Sequence, residues 1–192
     1  STQIRNMGTV AGNFANASPI GDLTIYFLAL NASLLLQKSA NRREILLKDL
    51  YLGYKSLNKE PDEIIGQVSF EIPAGNSYFS FEKVSKRMHL DIASVNAALQ
   101  LRVENNVMQQ AFASAGGIGP IPQFLTKTSE FLTGKEISAD TIKAAAAVAL
   151  SEARPISDAR GSATYKRLLL RQLFYAHFIA FFPDQIKPET LV

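Results

Sequence analysis

The chain has 192 residues, with 20 Lys and Arg against 17 Asp and Glu, for a net charge of +3. At 47% hydrophobic and 19% charged, it can bury a core as one large domain or two small ones, which excludes a disordered or low-complexity chain. Cys is absent, so disulfides, thiolate nucleophiles and Cys-ligated zinc or iron–sulfur centres are excluded, and the 2 His are too distant in sequence to suggest a metal site.

The first twenty residues carry no periodic pattern. Thr9 to Pro19 reads T-V-A-G-N-F-A-N-A-S-P, a run of small and turn-forming residues that predicts a loop exposing backbone amides. With no helix or strand before it, the loop suggests a fragment whose partner elements lie upstream. Asp22 precedes an apolar run, Leu23 to Leu30. This predicts a short buried helix, with the carboxylate favoured near its N-terminus by capping and by the dipole. Ser33 to Lys38 and Arg43 to Leu47 read as two strands of a hairpin around Ala40-Asn41-Arg42. Leu50 to Tyr54 reads as a brief helical turn ended by Gly53. Glu63 to Ile72 alternates with period two and predicts a strand with one buried face, ended by Pro73.

Pro73 to Ser77 reads as a linker. Beyond it, Tyr78 to Val84, Val95 to Val103 and Val107 to Ala115 predict a three-stranded antiparallel meander. Glu104-Asn105-Asn106 forms one of its turns, and Gly116 to Pro120 closes it. Ile121 to Thr133 has helical spacing. Ser138 is a good N-cap, Ile137 and Ile142 suit a hydrophobic staple, and that helix should run to about Ala153. Ser157 and Asp158 should start and anchor a last helix that reaches Phe182. Its second half is apolar on nearly every face, so it should be deeply buried. The fold class is α+β, with residues 1–73 and 76–185 as its two units.

The longest apolar stretch, Leu168 to Phe182, is broken by Arg171 and His177 and is shorter than the ~20 residues a membrane span needs. With no secretory pattern at the N-terminus, a cytoplasmic protein is expected. The one basic cluster, Lys83, Lys86 and Arg87, is too small to suggest nucleic-acid binding and reads as a solvated face. His177, set among Phe residues, reads as a core histidine, and His89 has no metal-ligand spacing. Gly8, Thr9, Gly12, Asn13 and Asn16 are the residue types a phosphate-wrapping loop needs, because backbone amides and small polar side chains are its donors. The same residues also make ordinary turns.

The string I-R-N-M-G-T-V-A-G-N-F-A-N-A-S-P-I-G-D, Ile4 to Asp22, resembles the second flavin-binding loop of the molybdenum hydroxylase family, which includes xanthine and carbon monoxide dehydrogenases. The resemblance continues in R-R-E-I-L-L-K-D-L-Y-L-G-Y-K from Arg42, E-P-D-E-I-I from Glu60, F-E-K-V-S-K-R from Phe81, D-I-A-S-V from Asp91 and S-D-A-R-G-S-A-T-Y-K-R-L-L from Ser157. It implies the end of an FAD-binding domain followed by the family's C-terminal domain. The first flavin loop and the ring-stacking aromatic would fall upstream of Ser1. The family usually has G-G-N where this chain has Ala11-Gly12-Asn13.

Carried over by position, the resemblance implies that Thr9, with Gly12 in its turn, lies against the FAD phosphates and that Asn13 contacts the cofactor. Asp22 would bond the nucleotide side, Ile65 would pack near the flavin ring, and Lys83 would stand near the flavin. Read from the residues alone, Asp22 is equally a helix cap and Ile65 equally strand core. The resemblance further implies an oxidoreductase flavoprotein subunit with no catalytic acid or base on this chain. A molybdenum cofactor and [2Fe-2S] clusters would sit in other domains or subunits, and electrons would pass through FAD to NAD⁺ or another acceptor. The alternative is a docking or structural fragment that does not bind FAD by itself.

Overall fold

The computed structural model describes residues 2–87 and 92–191, without the side chains of Gln3 and Ile4. His89 and Asp91 therefore lie outside the described residues. The expected N-terminal loop is instead two six-residue helices, α1 (Thr2–Met7) and α2 (Val10–Ala15). The small residues that suggested turns build a cap: Thr9 Oγ1 accepts from Gly12 N at 3.0 Å, and a Cβ on Gly12 would stand only 2.7 Å from that oxygen. Helix α3 (Asp22–Ala29) forms where the apolar run predicted it. Asp22 does not cap it, however. Gly21 holds the cap position with no side-chain bond, and Asp22 is the first helical residue.

Strands β1 (Ser33–Lys38) and β2 (Asn41–Leu46) form the hairpin, with Lys38 opposite Asn41, so the turn is Ser39-Ala40. A 3-10 turn occupies Leu47–Asp49. The expected helical turn at Leu50 to Tyr54 is instead the ribbon of β3 (Tyr51–Gly53) and β4 (Ser56–Leu57). Strand β5 (Ile64–Ser69) pairs with β1 in the order β2-β1-β5 and is shorter than the alternation suggested. Leu36 faces Ile65 while Leu35 faces Gln67, so Gly66 is bulged out of the ladder. The bulge resets the period. Ile65 and Val68, three apart, both pack on the core, while Ile64 is 63% exposed.

The second sheet follows the order β6 (Ser77–Ser85), β7 (Ala93–Glu104), β8 (Val107–Gly116), β9 (Gln123–Phe124). Asn105 and Asn106, both at positive φ, make the tight β7–β8 turn. The fourth strand occupies the start of the helix expected at Ile121, and α4 (Thr126–Leu132) begins later. Two prolines explain the delay: Pro120 and Pro122 steer the residues before them out of the helical region. Helix α5 (Ala139–Glu152) is capped as expected, with Ser138 Oγ accepting from Thr141 N at 3.2 Å. Ser138→Ala should therefore cost about 1 kcal/mol in chemical denaturation, and a change near zero would show the cap to be energetically idle.

Helix α6 (Ala163–Phe181) starts later than Ser157, because Asp158 and Gly161 close a turn and Ser162 supplies the cap. Ser157 still anchors it, its Oγ accepting from Ala163 N at 2.9 Å.

The second sheet is covered on both faces. Val95, Ala97, Leu99 and Leu101 of β7, with Ala111, Ala113 and Ala115 of β8, share one core with Ile142, Leu170, Phe174 and Phe178 from α5 and α6. The opposite face lies under α3, and Ala98, Phe79 and Phe81 join a second core with Ile25, Leu28, Leu34 and Leu36. Buried polar and small residues, Ser94, Asn96, Ala98 and Ser114 among them, lie on this face. Ser114 Oγ donates to Ile25 O at 2.6 Å, inside α3.

Candidate functional site

The site is built where α2 meets the start of α3, and where α3 and the turn at Pro19 to Gly21 meet the second sheet. Asn13, in the last turn of α2, accepts through Oδ1 from Thr24 N at 3.2 Å and from Thr24 Oγ1 at 3.1 Å. That joins α2 to the first turn of α3. A Cβ on Gly21 would come within 3.1 Å of both Asn13 Oδ1 and Thr24 Oγ1, so glycine lets the two helices meet. Below them the Tyr51 hydroxyl donates to Phe14 O at 3.3 Å and lies 3.5 Å from Thr24 Oγ1. Burial pushes the Tyr51 phenol up to about 12, so it stays a neutral donor.

Asp22 reaches across to the sheet. Lys83 Nζ donates to its Oδ2 at 2.6 Å and Asn96 Nδ2 to its Oδ1 at 2.7 Å. Lys83 and Asn96 are direct register partners on β6 and β7, so both donors rise from one row of the sheet. The Asp22 and Lys83 side chains are 43% and 26% exposed, and a pair this wet adds little to stability, at most about 1 kcal/mol. Its geometric role is larger: it fixes a half-exposed carboxylate at the edge of the α2–α3 junction.

The expected site residues fall into two groups. Thr9, Gly12 and Asn13 share α2, and Asn13 is bonded to α3 two residues from Asp22, which is bonded to Lys83. Ile65 stands apart from this polar chain, on β5, half-buried against the same core as Phe14. Lys86, from the same basic cluster as Lys83, donates to Ala159 O at 2.6 Å and ties the 157–162 turn to the end of β6. Lys166, almost fully buried, pairs with Asp158 at 2.8 Å. His177 lies on the far face of the sheet, fully buried, with Nδ1 against Ser80 Oγ. It is a core histidine, as its Phe neighbours implied.

Sequence reasoning missed Asn96, Thr24 and Tyr51. One signal for Asn96 was present: Ser94, Asn96 and Gln100 occupy the second phase of a strand whose first phase is wholly apolar. That phase is ordinarily read as solvent-facing, yet here it is buried under α3.

The donor set fits FAD. Thr9 is exposed, and with its oxygen already accepting from Gly12 its O–H is left as an outward donor. The Asn13 amide NH₂ bonds to no described residue and is a second donor. Asp22 retains outward acceptor positions. Donors for phosphate oxygens beside an acceptor for hydroxyls are what a dinucleotide requires.

Two known protein families match the chain. Residues 1–74 match the FAD binding domain in molybdopterin dehydrogenase, and residues 80–180 match the CO dehydrogenase flavoprotein C-terminal domain. The glyceraldehyde dehydrogenase medium chain of Sulfolobus acidocaldarius is 29% identical over 171 residues, covering 89% of this chain and 60% of that protein. A xanthine dehydrogenase of Blastobotrys adeninivorans is 33% identical over 184 residues, 92% of this chain but 13% of its own length.

Carbon monoxide dehydrogenase from Hydrogenophaga pseudoflava has the same fold, with a TM-score of 0.90 at 23% identity over 95% of this chain and 63% of that one. The CO dehydrogenase of Oligotropha carboxidovorans superposes with a TM-score of 0.84 at 25% identity, over 90% of this chain and 60% of that one. The chain thus spans about 60% of the medium-chain relative. On these matches the chain belongs to the FAD-binding flavoprotein family of the molybdenum hydroxylases.

Proposed function

We propose that this chain holds one side of the FAD site in the flavin subunit of a molybdenum hydroxylase. Residues 1–73 serve as the end of the FAD-binding domain and residues 76–185 as the C-terminal domain. Thr9 and Asn13 donate toward the phosphates, and Gly12 keeps the cap closed beneath them. Asp22 accepts from hydroxyls on the nucleotide side. Lys83 neutralises Asp22 and brings a cation to the flavin side, and Ile65 offers apolar surface near the ring. Bound FAD supplies the redox chemistry, passing electrons between iron–sulfur clusters and an outside acceptor.

The protein's own residues bind and orient; none is assigned to proton transfer. NAD⁺ is the proposed acceptor, as in the xanthine dehydrogenase type. Molybdenum and iron–sulfur subunits or domains are the proposed partners in the cytoplasm. Among the described residues no helix is long and apolar enough to cross a membrane. The hydroxylated substrate would be chosen in the molybdenum partner, and the relatives' names, which carry glyceraldehyde, xanthine and nicotinate, already differ there.

The observation that carries this reading is the Asp22 carboxylate, held by Lys83 and Asn96 beside the Asn13–Thr24 junction rather than used as a cap. It also disfavours a purely structural fragment, since a cap would have sufficed for that. Asp22→Asn in the complete gene product should weaken FAD binding roughly tenfold, the loss of one charge-assisted hydrogen bond, with the melting temperature little changed. Equilibrium titration of the flavin-free protein measures this. Unchanged affinity would return Asp22 to a structural role.

A further inference from the structure

We infer that Asn96 is a positioning residue: it sets the direction of the Asp22 carboxylate and, through it, the grip of the site on the nucleotide half of FAD. The inference rests on the role of Asp22 proposed above. Three observations carry it.

The first is the pairing. Asn96 Nδ2 donates to Asp22 Oδ1 at 2.7 Å, and it lies 3.4 Å from Ile20 O in the turn just before α3. Asn96 therefore touches both the carboxylate and the backbone that carries it. Lys83 holds the other oxygen, but from a long stem with a rotatable ammonium. A lysine supplies charge without fixing the plane of the carboxylate. A short, buried amide supplies direction.

The second is how Asn96 is locked. The residue is fully buried. Its register partner on β8 is Gly116, and a Cβ there would stand 2.2 Å from Asn96 Oδ1 and 2.8 Å from Pro19 O. Glycine at 116 thus leaves space for the Asn96 side chain and for the Pro19 turn at once. The adjacent Gly117, at positive φ, donates its N–H to Pro19 O at 3.0 Å, pinning the same turn to the sheet.

The third is an unpaid polar atom. Asn96 Oδ1 is buried with no hydrogen-bond partner among the described residues. A buried carbonyl oxygen without a donor works against folding, and an apolar residue would serve a covered strand better. What the amide supplies in return is its donor, aimed at Asp22. With Oδ1 bound by Asn96 and Oδ2 by Lys83, the remaining lone pairs of the carboxylate face outward in a fixed plane. The Asp22–Lys83 pair is neutral overall, so this edge suits the hydroxyls of a nucleotide rather than another phosphate.

The test uses the complete gene product, stripped of flavin and titrated with FAD and with FMN by flavin fluorescence. FMN lacks the nucleotide half. Asn96→Ala should weaken FAD about tenfold and leave FMN affinity unchanged, since the lost direction matters only where Asp22 acts. In an Asp22→Asn background the same change should add almost nothing. Asn96→Leu, close in size but with neither a donor nor a charge, should reproduce the loss and provides the test if the alanine variant does not fold.

Equal losses for FAD and FMN would make Asn96 merely structural and overturn the inference. So would full additivity with Asp22→Asn, or no loss at all. If Asp22→Asn itself leaves FAD binding intact, the Asp22 reading falls and takes this one with it. If Asp22→Asn weakens FAD while the Asn96 variants do not, only the inference falls.

Discussion

Phe178→Ala is expected to destabilise the protein by about 3–5 kcal/mol, the range for removing a fully buried aromatic ring without collapse of the space it leaves. Phe178 is 0% exposed on α6. Its ring centroid lies 5.9 Å from that of Phe174 and 6.5 Å from that of Phe182. Its neighbours come from α5 and from both long strands, so relaxation of any one element cannot refill the cavity. The measurement is the urea unfolding free energy of the variant against the parent. A loss below about 1 kcal/mol would mean that the ring lies at a surface and that α6 docks something else.

Acid should weaken the protein well before its carboxylates are neutralised. Burial pushes the His177 imidazole down to about 3, against an ordinary value of about 6.5. Its Nδ1 meets Ser80 Oγ, but Nε2 is buried with no partner among the described residues, so a proton there would be left without an acceptor. Because the folded value is the lower one, the unfolded chain binds the extra proton between pH 3 and 6.5. Stability therefore falls as pH drops through that window, by about 1.4 kcal/mol per unit, or about 3 kcal/mol between pH 7 and 4.5.

Glu63 acts in a lower window. The Arg43 guanidinium and the Glu60 amide hold its carboxyl down to about 2, so its contribution is intact above 4.5 and is lost only as pH falls from there. Measurements between pH 4.5 and 7 thus separate the two groups. His177→Gln, an uncharged replacement, should flatten the pH dependence in that range. An unaltered slope in the variant would remove His177 as its source.

Much of this architecture was legible in the chain, and the failures have identifiable physical causes. The β1–β2 hairpin, the α3 run, the long β7–β8 pair and the Ser138-capped α5 each satisfied a local rule: period, turn chemistry or cap. The misses came where one signal hid another. Thr9 and Gly12 looked like turn residues because a capped six-residue helix uses the same small side chains. Period two along Glu63 to Ile72 concealed the bulge at Gly66, since a bulge changes phase without changing composition. Of the proposed site, Thr9, Gly12, Asn13, Asp22, Ile65 and Lys83 were expected through resemblance, and the structure joins Asn13, Asp22 and Lys83 in one polar chain while Ile65 stands apart. Asn96 was not expected, because whether the second phase of a strand faces water or a helix depends on a segment over seventy residues away. That distance is set by tertiary structure, and no local pattern contains it.

The α3 helix carries a consequence for synthesis. Its partners come much later in the chain than the helix itself: Lys83 is 61 residues from Asp22, Asn96 is 74 residues from it, and Ser114 is 89 residues from Ile25. At translation rates of about 5–20 residues per second, the last of these is made roughly 4–18 s after the helix it bonds. Ile25, Leu28 and Ala29 can pack on Leu34 and Leu36 as soon as β1 is made, but the side of α3 that carries Asp22 and meets β7 and β8 waits for the second sheet. The nascent chain must keep that side from other chains until β7 and β8 are finished, so termination between Leu30 and Ser114 would release a product in which α3 is covered on one side only.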